Sequence, residues 1–310
     1  MKMSVNWCLL RPHSVTVIFL RMGLILVLLA SSGCAWLDGQ QRQFIYRPTA
    51  GIPADFDGLQ AGDERYFVNL TPSAALAQAD RQQSPGTPQR VDLMWLPHAN
   101  PEAPTLLYFH GTFRNLFENM HKINALRAAG FAVLGVEYRG WGLSTPITPS
   151  EQSILQDADV AWKELVRHQP KPGLRVIYGH SMGSGVAVDL ASRLQTKKDY
   201  GALILESSFT SFRDIAWEAG ILTGLLAHFN QERFESIDKI SRVNAPVLML
   251  HGSNDSTIPL RLGEQLFAAA NPPKQWFVME GASHSDLNQV NPALYKTVLQ
   301  GFATRYLSVP

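Results

Sequence analysis

At 310 residues, 45% hydrophobic and 17% charged with a formal net charge of +1, the chain has the composition of a globular protein with one large core or two smaller ones. Its charge balance excludes the basic or acidic bias that would point to nucleic acid or to an acidic partner. Two cysteines, Cys8 and Cys34, with no CxxC pair or Cys/His cluster, argue against a disulfide framework and a structural zinc site, so packing must hold the core together.

The first 34 residues stand apart. Lys2, Arg11 and Arg21 make a positive leader, Met22 to Ala30 is an apolar run, and Ser31-Ser32-Gly33 places small residues before Cys34, the layout of a secretory signal. The segment resembles a bacterial lipoprotein signal. That resemblance implies removal of residues 1–33, acylation of Cys34, and export to the cell envelope on a lipid anchor facing the periplasm. Plain signal cleavage and an uncleaved anchor are the other readings. Arg21 interrupts the longer apolar stretch from Val15, and the uninterrupted part falls short of the roughly 20 residues that span a bilayer.

Residues 34–60 read as a linker and 61–310 as one domain. Within a Pro-, Gly- and Gln-rich region, Arg65 to Leu70 and Val91 to Leu96 have strand character, with Pro85, Gly86 and Pro88 marking a turn between them. They read as leading antiparallel strands. From residue 104 onward, apolar strands alternate with helical segments. The strands are Thr105 to Phe109, Phe131 to Glu137, Arg175 to Tyr178, Ala202 to Leu205, Val247 to Leu250 and Gln275 to Met279. The helices lie near Asn115 to Ala129, Ile154 to His168, Met182 to Leu194, Leu262 to Ala270 and Pro292 to Thr304. This alternation predicts an α/β fold whose mostly parallel sheet is covered on both faces, with ligands at the carboxyl ends of the strands.

The chemistry-bearing residues fall at those ends. Gly179-His180-Ser181-Met182-Gly183 follows a strand and opens a helix, so the turn can lift the Ser181 hydroxyl clear of the sheet, and the two glycines remove side chains that would collide there. Asp255 follows the strand ending at Leu250, and His284 follows the next strand. A serine hydroxyl needs a base to become a nucleophile near neutral pH. His284 suits that role, and Asp255 can orient its imidazole. The backbone N–H groups of Met182, and of Thr112 or else Phe113 after His110-Gly111, are the candidates for binding an oxyanion. His110 itself reads as structural. Glu206, ending the strand from Ala202, is a rival acid that is otherwise read as capping the segment after it. Residues 207–240 would form a short lid carrying Phe209, Phe212, Trp217, Ile221, Leu222, Leu225, Leu226 and Phe229, an apolar set that either closes the core or lines an acyl pocket, with a shallow or partly open site beneath it.

The order Ser181, Asp255, His284 is that of the α/β-hydrolases. Over about residues 60 to 305 the chain resembles that superfamily, and within it the ABHD-type and monoacylglycerol-lipase-like serine hydrolases. The residues that carry the resemblance are Phe109-His110-Gly111, Tyr138 to Ser144, the Ser181 turn, Pro246 to Gly252 with Asp255 and Pro259, and His284. The run Tyr138 to Ser144 looks like the family's glycine-rich turn, which shapes the site and carries no chemistry. One departure is Thr112-Phe113-Arg114, where many relatives have a small polar run. The resemblance implies an α/β-hydrolase fold and hydrolysis of carboxylic esters of small or lipid-like alcohols, with no cofactor and no metal. The partners it implies are the acyl substrate and, through the anchor, a membrane, with no nucleic acid. Thioester, amide or peptide hydrolysis would use the same triad. A non-catalytic envelope lipoprotein that keeps the fold as a scaffold is the reading from another class.

Overall fold

A computed structural model describes residues 37–70 and 88–307. The signal segment, Cys34, and Pro85 with Gly86 lie outside them. Eight strands form one sheet: β1 (Glu64–Asn69), β2 (Arg90–Leu96), β3 (Thr105–Phe109), β4 (Ala132–Glu137), β5 (Arg175–His180), β6 (Ala202–Glu206), β7 (Val247–Gly252) and β8 (Lys274–Met279). Their order is β1-β2-β4-β3-β5-β6-β7-β8. The pairs β1/β2 and β2/β4 are antiparallel, and every other pair is parallel.

The near-continuous apolar strands follow from this arrangement, because successive side chains point to opposite faces and both faces are covered. Leu107, Phe109, Ile177, Leu203, Leu205, Val247 and Met249 join one core. Their chain neighbours Leu106, Tyr108, Val176, Tyr178, Ile204, Leu248 and Leu250 join the other. The described helices are α1 (37–46), α2 (Met120–Ala128), α3 (Glu151–His168), α4 (Met182–Arg193), α5 (Phe212–Glu218), α6 (Ile221–Leu226), α7 (Leu260–Ala269), α8 (Leu287–Val290) and α9 (Pro292–Tyr306). Helix α3 opens on a capping box in which the Ser150 hydroxyl accepts from Ser153 N and Ser153 Oγ accepts from Ser150 N. Its residues Ile154, Ala158, Ala161 and Leu165, with Val186 and Leu190 of α4, pack on the first core. Ile123 and Leu126 of α2, with Leu299 and Phe302 of α9, close the second.

Two expectations need correction. The helix expected from Asn115 begins at Met120, because Asn115 and Asn119 turn their side chains onto nearby backbone. Asn115 Nδ2 donates to Gly51 O at 3.0 Å and Asn119 Nδ2 to Asn115 O at 2.8 Å, a competition that favours a turn over a helix. Nor do the described residues of 37–60 form a free linker. Residues 37–46 are helical, Tyr46 is fully buried against Trp141 and Phe212 and donates to Glu232, and Gly51 N donates to Gly142 O at 2.7 Å. Burying one large aromatic ring is enough to tie this segment to the domain.

Candidate active site

Strand β5 delivers Ser181 at its carboxyl end with φ 55° and ψ −126°, a conformation that non-glycine residues rarely adopt and that the surrounding structure must hold in place. Backbone packing holds it. A Cβ on Gly179 would stand 2.1 Å from the Gly183 carbonyl oxygen, and one on Gly183 would stand 2.1 Å from that of Phe109. Ser181 N donates to Glu206 O at 3.0 Å, which fixes the turn to β6.

The loop after β7 carries Asp255. Its Oδ1 accepts from the backbone N–H groups of Thr257 at 3.0 Å and Ile258 at 2.8 Å. Its Oδ2 accepts from His284 Nδ1 at 2.8 Å and lies 3.3 Å from His251 Nε2. Burial alone would raise this carboxyl, but its hydrogen bonds with His251, His284 and Ile258 N hold it well below the usual carboxylate range. Because His284 Nδ1 donates to Asp255, Nε2 is left as the acceptor. It stands 2.8 Å from Ser181 Oγ. The fold thus brings Ser181, His284 and Asp255 from three separate loops into one hydrogen-bonded chain.

The loop carrying His284 is anchored through its own carbonyl, which accepts from His180 Nε2 at 3.0 Å and from Ser207 Oγ at 3.0 Å. Burial, with help from the Lys122 ammonium, pushes the His180 imidazole down to about 3, so the ring is neutral and its proton sits on Nε2. These two anchors were not visible in sequence. His180 is the variable position of its motif, and Ser207 gains its partner 77 residues away.

The loop after β3 approaches the serine closely, since a Cβ on Gly111 would lie 3.0 Å from Ser181 Cβ. Thr112 follows, and its carbonyl accepts from Trp141 Nε1 at 2.9 Å. The expected glycine-rich turn therefore contributes an anchor for this loop as well as shape. Thr112 and Met182 line the same cavity as Ser181. Met182 is the first residue of α4, where the helix leaves its N–H without an internal partner. His110 is fully buried, with Nε2 3.1 Å from Glu137 Oε1, and serves the framework of the loop.

Glu206 does not cap the segment after it. Its buried carboxylate pairs with the buried Lys122 ammonium and accepts from the hydroxyls of Tyr178 and Tyr295. Burial would raise this carboxyl, yet Lys122 and the other neighbours hold it at about 2. A lysine on α2, 84 residues earlier in the chain, satisfies a charge that sequence alone left without a partner.

A cavity of about 490 Å³ opens beside Ser181, walled by Phe209, Phe212, Ile215 and Leu226 of the lid and by Phe44 and Ile45 of α1. A second pocket of about 470 Å³, which shares Thr112, Phe113, Ser181 and Thr257 with the first, is lined by more polar groups, among them Asn119, Ser283, Ser285 and Gln289.

A family model described as serine aminopeptidase S33 matches residues 100–237. The chain is 32% identical over 205 residues to alpha/beta hydrolase domain-containing protein 17B of Xenopus tropicalis, a match spanning 66% of this chain and 67% of that protein. It is 34% identical over 191 residues to lysophosphatidylserine lipase ABHD12 of Danio rerio, spanning 55% of this chain and 48% of that one. Its fold is similar to that of the Pyrococcus furiosus esterase Pf2001, with a TM-score of 0.60 at 18% identity, covering 83% of this chain and 100% of the other.

Proposed function

The chain belongs to the α/β-hydrolase superfamily, and on that premise we propose that it is a serine hydrolase cleaving carboxylic esters through an acyl-enzyme on Ser181. The observation that carries this reading is the chain of two 2.8 Å contacts from Ser181 Oγ through His284 to Asp255, ending at the wall of an apolar cavity. Ser181 Oγ attacks the acyl carbonyl carbon while His284 Nε2 takes its proton. The N–H groups of Met182 and Thr112 bind the resulting oxyanion. The intermediate collapses as His284 returns the proton to the departing alcohol. Water, deprotonated by His284, then attacks the acyl carbon, and His284 returns that proton to Ser181 Oγ as the acid leaves. Asp255 keeps the imidazole in the tautomer that can accept.

The apolar cavity favours a lipid-like acyl chain, and the more polar second pocket at Ser181 suits an alcohol that is rich in hydroxyls or amides. Each methylene buried contributes about 0.8 kcal/mol. On p-nitrophenyl esters, kcat/KM is therefore expected to rise roughly threefold to fourfold per added carbon until the cavity is full. A rate that falls steadily from acetate onward would rule out the acyl-pocket assignment. Amide hydrolysis would use the same groups, and the description of the matching family model favours testing aminoacyl p-nitroanilides in parallel.

We place the enzyme on the periplasmic face of a bacterial membrane, held by lipid on Cys34. Cys34→Ser is expected to move it from the membrane fraction to the soluble fraction of the envelope. Unchanged fractionation would remove the lipid from the account.

A further inference from the structure

Of the twelve large apolar side chains exposed among the described residues, Phe44 on α1, Phe113 in the loop after β3 and Leu226 on α6 line the cavity, and Ile221, Leu222 and Leu225 stand exposed on the same helix as Leu226. Helix α6 inverts the usual pattern. Its small residue, Gly224, is buried so closely on Trp217 that a Cβ there would lie 2.2 Å from the indole, while Ile221 is 75% and Leu222 71% exposed. A helix that rests on the body through glycine and turns its isoleucine and leucines outward has its apolar partner outside the chain's own core.

The charges around this patch identify that partner. Arg47 lies with its guanidinium carbon 5.1 Å from the ring centroids of both Phe44 and Phe113. Arg47, Arg114 and Arg233 are all exposed, and none pairs with a carboxylate among the described residues. The nearby carboxylates are already engaged: Glu232 with Tyr46, Glu218 with Arg261, Glu235 with Arg213 and Asp38 with Arg42. An apolar patch with a rim of guanidinium groups that have no carboxylate partner among the described residues fits a surface that offers hydrocarbon beneath anionic headgroups. The chain also enters the described body on this side. Leu37 begins α1, seven residues or about 10 Å along the helix from Phe44, and the leader with Cys34 lies just before it.

We propose that α6, Phe44 and Phe113 form a docking surface that seats the mouth of the cavity on an anionic lipid bilayer. This goes beyond hydrolysis and does not depend on Ser181. The anchor holds the protein near the membrane, and the docking surface sets the orientation in which an acyl chain passes from bilayer to cavity without crossing water.

Both cores and all eight strands lie between Tyr46 and Leu307, so a chain beginning at Leu37 keeps the folding unit and isolates docking from the anchor. That chain is expected to float with vesicles of phosphatidylcholine containing about one quarter phosphatidylglycerol. Replacing Ile221, Leu222 and Leu225 together by Ser is expected to weaken partitioning about 100-fold. Leu222→Asp alone, a milder change to the fold, should weaken it at least about tenfold. Arg47→Gln with Arg233→Gln should weaken binding about tenfold on the anionic vesicles and leave binding to pure phosphatidylcholine unchanged. Ser181→Ala must float like the wild type, so a failed hydrolase reading leaves this test intact. Melting temperatures equal to the wild type certify each variant as folded. The proposal is overturned if the wild-type chain stays with the dense fraction. It is equally overturned if sedimentation velocity shows a dimer that the α6 variants dissociate, which would make the patch a contact between copies.

Discussion

Ser181→Ala is expected to lower kcat for ester hydrolysis by about a millionfold while leaving the fold in place. The size of the effect comes from cooperation among the three groups. Once the nucleophile is gone, His284 has no hydroxyl to deprotonate at 2.8 Å, and Asp255 orients a base with nothing to act on. What survives is the residual advantage of the oxyanion donors and substrate binding, about 1,000- to 10,000-fold over water. Alanine meets the same backbone restriction at φ 55° as serine does, and Gly179 and Gly183 still pack as before, so stability should change little. Single-turnover kinetics on the ester preferred by the wild type, with a thermal melt of both proteins, makes the comparison. A variant within tenfold of the wild type would take Ser181 out of the reaction. Two proteins that are equally inert toward esters, thioesters and amides would favour the scaffolding reading.

Much of this architecture could be read before the fold was seen, for reasons that are local. Parallel strands buried on both faces must be apolar at successive positions, so runs such as Leu106 to Phe109 announce themselves. The turn at Ser181 needs glycine on both sides because backbone meets backbone there, and that requirement is written within five residues. Asp255 and His284 could be proposed because each follows a strand, where the sheet presents its loops. What sequence did not disclose are pairings between distant elements. Nothing near Glu206 identifies Lys122 as its partner, and nothing in the linker composition shows that Tyr46 is buried against Trp141. The hydrogen bonds from His180 and Ser207 to the His284 carbonyl are likewise products of the fold. Lid hydrophobicity was legible, but its direction was not. Phe209, in the loop after β6, faces the core and Ile221, on α6, faces outward, a difference that comes from how the lid segment sits on the body, since composition is the same for either outcome.

The two acids near Ser181 are expected to fail in different ways, which makes them the means of assigning the orienting role. Asp255→Asn should lower kcat by about 10,000-fold. An amide there presents a donor to His284 Nδ1, which favours the tautomer with the proton on Nε2, and that nitrogen can no longer accept from Ser181. Glu206→Gln should instead cost stability, about 3–5 kcal/mol, because it leaves the Lys122 ammonium buried without its counter-charge. In the molecules that are folded, kcat should stay within about tenfold of the wild type, since the Glu206 carboxylate is bonded to Lys122, Tyr178 and Tyr295 and not to His284. The pH dependence separates the two further. The Glu206 carboxyl is held at about 2 and titrates near 4.3 in an unfolded chain, so its folded value is depressed. Its contribution is fully present above that unfolded value and is lost as pH falls toward 2. Acidification from pH 6 to pH 3 should therefore destabilise the wild type more than Glu206→Gln, which has no such carboxyl to protonate. Denaturant titrations at the two pH values, with kcat measured at the higher one, read both effects. If folded Glu206→Gln were inactive and Asp255→Asn active, the orienting acid would be Glu206, and the hydrogen bond from His284 Nδ1 to Asp255 would be an alignment without a catalytic role.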